Sequence, residues 1–222
     1  MSFISVFDVL GPNMIGPSSS HTAGAVIIGY LAKNIFSEDI AQVEFVLYGS
    51  FAKTYKGHGT DRALLGGLMG FHTDDMRIRD SFQIAKERGI DFKFIPNEIE
   101  TDIYPNTVDI HMTDLIGQEM TVRGESIGGG KVKITRINGA VVEFTGEYSA
   151  LIVTQLDRPG VVAHITKCMS DFGVNLAFMR LFRESKGNLA YTIVETDDQI
   201  PEECRELIFE NPNVKNVIIV QK

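Results

Sequence analysis

The sequence predicts an α+β protein of two units, and three observations carry that reading. Apolar residues at helical spacing are concentrated in the first ninety residues, and strand-like alternation takes over from Ile90 onward. From Tyr148 a second series of elements begins, in the order β-α-β-β-α-β. The chain has 222 residues, 44% hydrophobic and 23% charged, enough apolar material for two cores. A short Thr145-Gly146-Glu147-Tyr148 boundary divides it into residues 1–146 and 148–222.

Each element has its own local warrant. Ala25, Ile28, Tyr30, Leu31 and Ile35 recur every three or four places, predicting a helix from His21 to about Ile35 after a Gly/Pro/Ser loop. Val43 to Tyr48 reads as a strand. Thr60 to Met69 reads as a short helix, whose Gly66, Gly67 and Gly70 suggest close backbone packing. Ser81 to Arg88 is a further helix, ended by Gly89. Strands follow at Asp91–Phe94, Val108–Met112, Glu119–Arg123 and Lys131–Ile137, the last turning at Asn138-Gly139 into Ala140–Phe144. This gives the first unit early helices and a late antiparallel sheet.

In the second unit Tyr148–Leu156 is a strand, and Asp157-Arg158-Pro159-Gly160 opens a helix with Pro near its first turn, where a fixed φ and a missing N–H are tolerated. Val161, Ile165, Cys168, Met169 and Phe172 share the core face of that helix, and Gly173 ends it. Strands Leu176–Arg183 and Ala190–Thr196, a helix Pro201–Phe209 and a strand Val214–Val220 complete the series. Cys168 and Cys204 both fall on apolar helix faces and read as packing thiols.

Composition excludes several functions. The net charge of −8, with no Lys/Arg-rich face, argues against nucleic-acid binding. Two cysteines 36 residues apart signal neither a disulfide framework nor a zinc site and favour a reducing, cytoplasmic setting. The N-terminal stretch lacks the basic and apolar regions of a leader, and no stretch of about 18 apolar residues occurs, so neither secretion nor a membrane partner is expected.

Three segments could carry chemistry. In Gly16-Pro17-Ser18-Ser19-Ser20-His21-Thr22, hydroxyls and backbone donors at a helix start suit a carboxylate. The helix dipole disfavours imidazolium at His21, leaving a neutral base able to take a proton α to that carboxylate. The plainer reading of the same residues is a Ser-rich cap followed by a surface histidine. In Lys56-Gly57-His58-Gly59-Thr60-Asp61-Arg62, Thr60 or Asp61 can cap the next helix, and Gly57 and Gly59 allow close approach of a ligand. Both histidines then sit at helix starts, whereas His72, His111 and His164 read as structural. Glu125 to Lys131 imitates a phosphate loop but lacks its first Gly and the Ser or Thr after Lys131.

Two resemblances extend this reading. D-R-P-G at the first turn, G-V-N at Gly173–Asn175 and P-N-V-K-N-V before the last strand make Tyr148–Lys222 similar to the ACT domain, a ferredoxin-like amino-acid-sensing module. The resemblance implies homodimerisation, and with it one of two roles: an allosteric ligand near Asp157, Arg158, Pro159, Gly160 and Asn175, or dimerisation alone. G-P-S-S-S-H-T, G-H-G-T-D-R, P-N-T at Pro105–Thr107 and S-I-G-G-G at Ser126–Gly130 together resemble the beta subunit of the iron–sulfur-dependent bacterial L-serine dehydratase. The first unit also resembles the allosteric substrate-binding domain of some phosphoglycerate dehydrogenases.

The dehydratase resemblance implies conversion of L-serine to pyruvate and ammonia, with a four-iron, four-sulfur (4Fe-4S) cluster binding the hydroxyl while a base removes the α proton. It maps the family's motif histidine onto His21, the candidate base, and its serines onto Ser18, Ser19 and Ser20; the reading of the two segments adds Thr22, His58, Gly59, Thr60 and Asp61 as candidate substrate-binding residues. A cluster of that kind needs thiolates, yet residues 1–146 contain no cysteine. This chain therefore holds no metal of its own, and the resemblance places the cluster in a partner alpha subunit. The alternative is a non-catalytic amino-acid sensor, in which the Ser/His loop only clamps a carboxylate.

Overall fold

The structure, a computed structural model, describes residues 13–36, 38–100 and 102–221. Residues 1–12, where a leader was looked for, lie outside them. The chain divides into two units, 1–139 and 140–222.

In the first unit a π-helical turn, Ser19–Ala23, runs directly into α1 (Gly24–Phe36). Strand β1 (Ile40–Tyr48) is followed by two consecutive helices, α2 (Gly49–His58) and α3 (Thr60–Leu68), then by a 3₁₀ turn at Met76–Asp80 and α4 (Ser81–Glu87). Strands β2 (Asp91–Asn97), β3 (Thr107–Asp114), β4 (Glu119–Gly128) and β5 (Lys131–Ile137) complete it. The strand order is β2-β1-β3-β4-β5, and after the Asn138-Gly139 turn β6 (Ala140–Phe144) opens the second unit. Positive φ at both turn residues, 49° and 82°, is the backbone a two-residue hairpin turn requires.

One pairing departs from the expected antiparallel sheet: β2 runs parallel to β1. The crossover through α2, α3 and α4 brings the chain back to the same end of the sheet before β2 starts, which is the condition for a parallel pair. As the edge strand, β2 also tolerates Pro96.

The sheet has two unlike faces. Val43, Phe45 and Leu47 of β1 and Val108, Ile110 and Met112 of β3 are fully buried with Ile28 and Ile35 of α1 and Leu64, Leu65 and Leu68 of α3. Each such side chain contributes about 1.5–3 kcal/mol by leaving water. Helices α1 and α3 touch backbone to backbone, as the glycine pattern predicts: a Cβ on Gly67 would lie 2.0 Å from the Val26 carbonyl oxygen, and one on Gly29 2.3 Å from that of Leu64. On the other face Arg123 forks onto both oxygens of Asp109, each at 2.6 Å, and the Tyr48 hydroxyl donates to the same carboxylate at 2.9 Å. Burial and that carboxylate push the Tyr48 phenol up to about 12. This polar layer clamps β1, β3 and β4 and holds the register below the site.

The second unit shows the predicted order: β7 (Ser149–Leu156), α5 (Val161–Asp171), β8 (Phe178–Arg183), β9 (Leu189–Thr196), α6 (Glu202–Phe209) and β10 (Val214–Val220). Its strands lie β10-β7-β9-β8, every neighbouring pair antiparallel. Leu151, Val153, Val161, Ile165, Met169 and Val194 form its core with Cys168 and Cys204. Phe172 is a correction. It caps the end of α5 and is 39% exposed, because the last helical residue has turned off the core face.

Candidate active site

The predicted loop at His21 is built by its own serines. Ser18 adopts extended backbone, and its Oγ accepts from the His21 amide at 3.1 Å, the expected Ser cap. The Ser18 carbonyl takes the amides of Thr22 and Ala23, and the Ser19 carbonyl takes that of Gly24. The first-turn donors from His21 to Gly24 are therefore committed within the turn, which narrows the expected carboxylate nest. Gly16, at φ 114°, lets the loop fold back on Thr22; a Cβ there would lie 2.5 Å from Thr22 Cγ2.

The His21 ring is held on every side. Nδ1 is hydrogen-bonded to Ser20 Oγ at 3.0 Å, and Nε2 to Ser50 Oγ at 2.9 Å. Phe51 meets it edge-on at 5.4 Å between centroids, and the His58 ring lies 4.8 Å away, tilted. Burial, and secondarily the neighbouring His58, hold the imidazole below its ordinary value of 6.5. The direction is that of the expected neutral base, with desolvation as its first cause and the second imidazole as the next.

His58 arrives differently from the expectation. It is the last residue of α2, not the start of a helix, and Gly59 at φ 67° joins α2 to α3. Its carbonyl accepts from Thr22 Oγ1 at 3.1 Å, tying the two predicted segments together. Its Nδ1 is buried with no hydrogen-bond partner. Neither Thr60 nor Asp61 caps α3. Thr60 is fully buried with an unpartnered hydroxyl. The nearly buried Asp61 accepts from the Arg62 amide, and burial raises its carboxyl.

The remaining motifs converge on the same place. The Pro105 carbonyl accepts the amides of Ser50 at 2.6 Å and Phe51 at 3.3 Å, fixing the start of α2. Gly49 is required there: its φ is 53°, and a Cβ would lie 2.6 Å from that carbonyl oxygen. Asn106 and Ser126 exchange backbone and side-chain bonds, and a Cβ on Gly24 would meet Ser126 Oγ at 2.2 Å. Asn106 Oδ1 and Ser126 Oγ are buried without partners. Four of the five unpartnered buried side-chain atoms among the described residues thus belong to the predicted motifs. Buried polar atoms are nearly always satisfied, so these four are positions left for a water or a ligand to partner.

The Asp157 corner of the second unit is built from satisfied groups. Asp157 accepts from the Gly187 amide at 3.0 Å and pairs with Arg183 at 3.3 Å. An open cleft of about 470 Å³ lies there, lined by Asp157, Arg158, Pro159, Gly160, Arg183 and Lys186 among others. Asn175 is not part of it. It follows the far end of α5, a helix of 11 residues and so about 16 Å long, and its backbone bonds Asp198 and Thr196. Of the other three histidines, His72 lies against the Tyr30 ring at 5.1 Å, His111 bonds Thr121 and His164 bonds the Leu207 carbonyl.

Comparison with known proteins gives the chain's family. The model of the family described as "Serine dehydratase beta chain" matches residues 5–136. The chain belongs to that family. It is 41% identical over 217 residues to the "Probable L-serine dehydratase, beta chain" of Bacillus subtilis, covering 98% of each. It is 42% identical over 208 residues to the "L-serine dehydratase, beta chain" of Peptoniphilus asaccharolyticus, covering 94% of each. It is also similar, at 26% identity over 88% of its length, to 37% of the D-3-phosphoglycerate dehydrogenase of Methanocaldococcus jannaschii. Against the family's chemistry, no three His, Cys, Asp or Glu side chains among the described residues could hold a metal ion, and both cysteines are buried. The residues of this chain do not fit an iron–sulfur cluster. No described helix is long and apolar enough to cross a membrane.

Proposed function

We propose that this chain is the beta subunit of a cytoplasmic, two-subunit L-serine ammonia-lyase that forms pyruvate and ammonia, and that a partner alpha subunit carries the iron–sulfur cluster. The observation that carries the reading is the His21–His58 pair, one ring held in place by two hydroxyls and the other with a buried unpartnered nitrogen. His21 is the base, kept unprotonated at neutral pH. His58 offers Nδ1 to a polar group of the substrate, which would satisfy it. Ser18 and Ser20 orient His21, Ser19 and Gly59 border the pair, and Thr22 ties it to His58. The second unit pairs copies of the chain and takes an amino acid at the Asp157 corner.

The sensor alternative draws on the similarity to the phosphoglycerate dehydrogenase, of which this chain matches only a part. Serine deamination by the purified chain, by the purified partner and by the two together separates the readings. Turnover should require both chains. Turnover by this chain alone contradicts the proposal, and a pair that binds serine without deaminating it favours the sensor.

A further inference from the structure

The two hydroxyls that flank the His21 ring are not equivalent. Ser20 belongs to the same turn, and its Oγ lies 3.4 Å from that of Ser18, so it is part of the cap. Ser50 comes from the first turn of α2, a separate element, and also lines an open cleft of about 490 Å³. It is the residue common to that cleft and the ring. Lys53, Glu98 and Glu100 line the same cleft, supplying one positive and two negative groups, the charges that complement the carboxylate and ammonium of an amino acid. Pro105, of the P-N-T motif, lines it too, whereas no residue of the two histidine-bearing segments does.

A neutral imidazole donates from one nitrogen and accepts at the other. With Nδ1–H donating to Ser20, Nε2 accepts from the Ser50 hydroxyl, which polarises Oγ as a general base polarises an alcohol. The N-terminal end of α2 favours negative charge growing on that oxygen.

We infer that an α-amino acid sits in this cleft and that Ser50 relays its α proton to Nε2 of His21. The inference rests on the lyase reading and deepens it. The Cα–H bond breaks and its proton joins Ser50 Oγ while the Ser50 proton passes to Nε2. The electron pair stays on the substrate and forms the Cα=Cβ bond as the β-hydroxyl leaves as hydroxide. The proton taken balances that hydroxide as water.

Two measurements test the relay independently. Nitrogen-15 NMR of the purified chain should show His21 as the Nδ1–H tautomer. Ser50→Ala should weaken that preference and raise the titration midpoint of the ring by about half a unit, and Ser50→Thr should restore both. An Nε2–H tautomer, which would make Ser50 an acceptor, overturns the inference whatever the substrate is. In the two-chain complex, Ser50→Ala should lower kcat about a hundredfold with KM for serine nearly unchanged, and Ser50→Thr should recover most of it. Equal turnover in Ser50→Ala, or equal losses in both variants, overturns the relay. Lys53→Met should raise KM about tenfold with kcat kept, and an unchanged KM removes the amino acid from the cleft. A wild-type complex that does not deaminate serine refutes the lyase reading and leaves the NMR result to decide the Ser50–His21 pairing.

Discussion

The two loop-to-helix corners, Ser18–Thr22 in the first unit and Asp157–Gly160 in the second, start from similar ingredients and differ in how their polar atoms are used. At the first corner, hydroxyls are spent on orienting an imidazole, and a second imidazole beside it keeps an unpartnered nitrogen. At the second, the one carboxylate is consumed by Arg183 and the Gly187 amide, and the lining cations surround a cleft without a base. Unsatisfied buried polarity lowers stability and persists where a ligand or reaction uses it. By that criterion the first corner keeps polar atoms open to a ligand and the second does not, which is the difference the proposed function rests on.

The comparison can be broken most sharply by removing the unpartnered imidazole. His58→Ala in the two-chain complex should lower kcat/KM for serine more than about a hundredfold, the scale of a lost acid–base or binding group at the reacting centre. Activity within a few-fold of wild type would return His58 to a turn residue.

The corners should also differ in tolerance to a single methyl. Gly16→Ala places a Cβ against Thr22 and strains a φ of 114°, so it should cost about 3 kcal/mol and loosen the Thr22–His58 link. Gly160→Ala strains a φ of 88° but meets nothing within 4 Å, so it should cost about 1 kcal/mol. Urea titrations of the two variants measure the difference, and equal costs would mean that the first corner is no more tightly built.

A smaller effect concerns pH. The folded-state pKa of His21 lies below 6.5, so just under that pH the unfolded chain binds more protons than the folded one. The His21 contribution is therefore complete above 6.5 and falls away as the solution is acidified. Urea unfolding on either side of 6.5 should show this acid loss in wild type and less of it in His21→Ala. Turnover should in turn persist somewhat below 6.5, because the base stays neutral there. The smallest effect belongs to Phe172→Ala, expected to change stability by under about 1 kcal/mol, since the ring is 39% exposed.

Much of this was legible in the sequence because periodicity reports burial. The second unit's order, the α1 face, the Gly67 crossing and the Asn138-Gly139 turn all followed from spacing and turn chemistry. Helix α2 did not. Its ten residues, Gly49 to His58, include two glycines and bury only Phe51 and Ala52, so no apolar stripe announces it. That omission moved His58 from the end of one helix to the start of another and hid Ser50, which has no motif around it. The signal available was Gly49 itself, a glycine directly after a strand where the chain must turn sharply. The Tyr48–Asp109–Arg123 layer was missed for a related reason: it is assembled across three strands, and only the register puts those residues together.

The most direct test compares kcat for serine in two complexes, one carrying His21→Ala and one carrying Asp157→Ala. The first should lose more than about a hundredfold and the second should stay within about twofold at saturating substrate. Equal losses, or a His21→Ala complex as fast as wild type, would contradict that expectation.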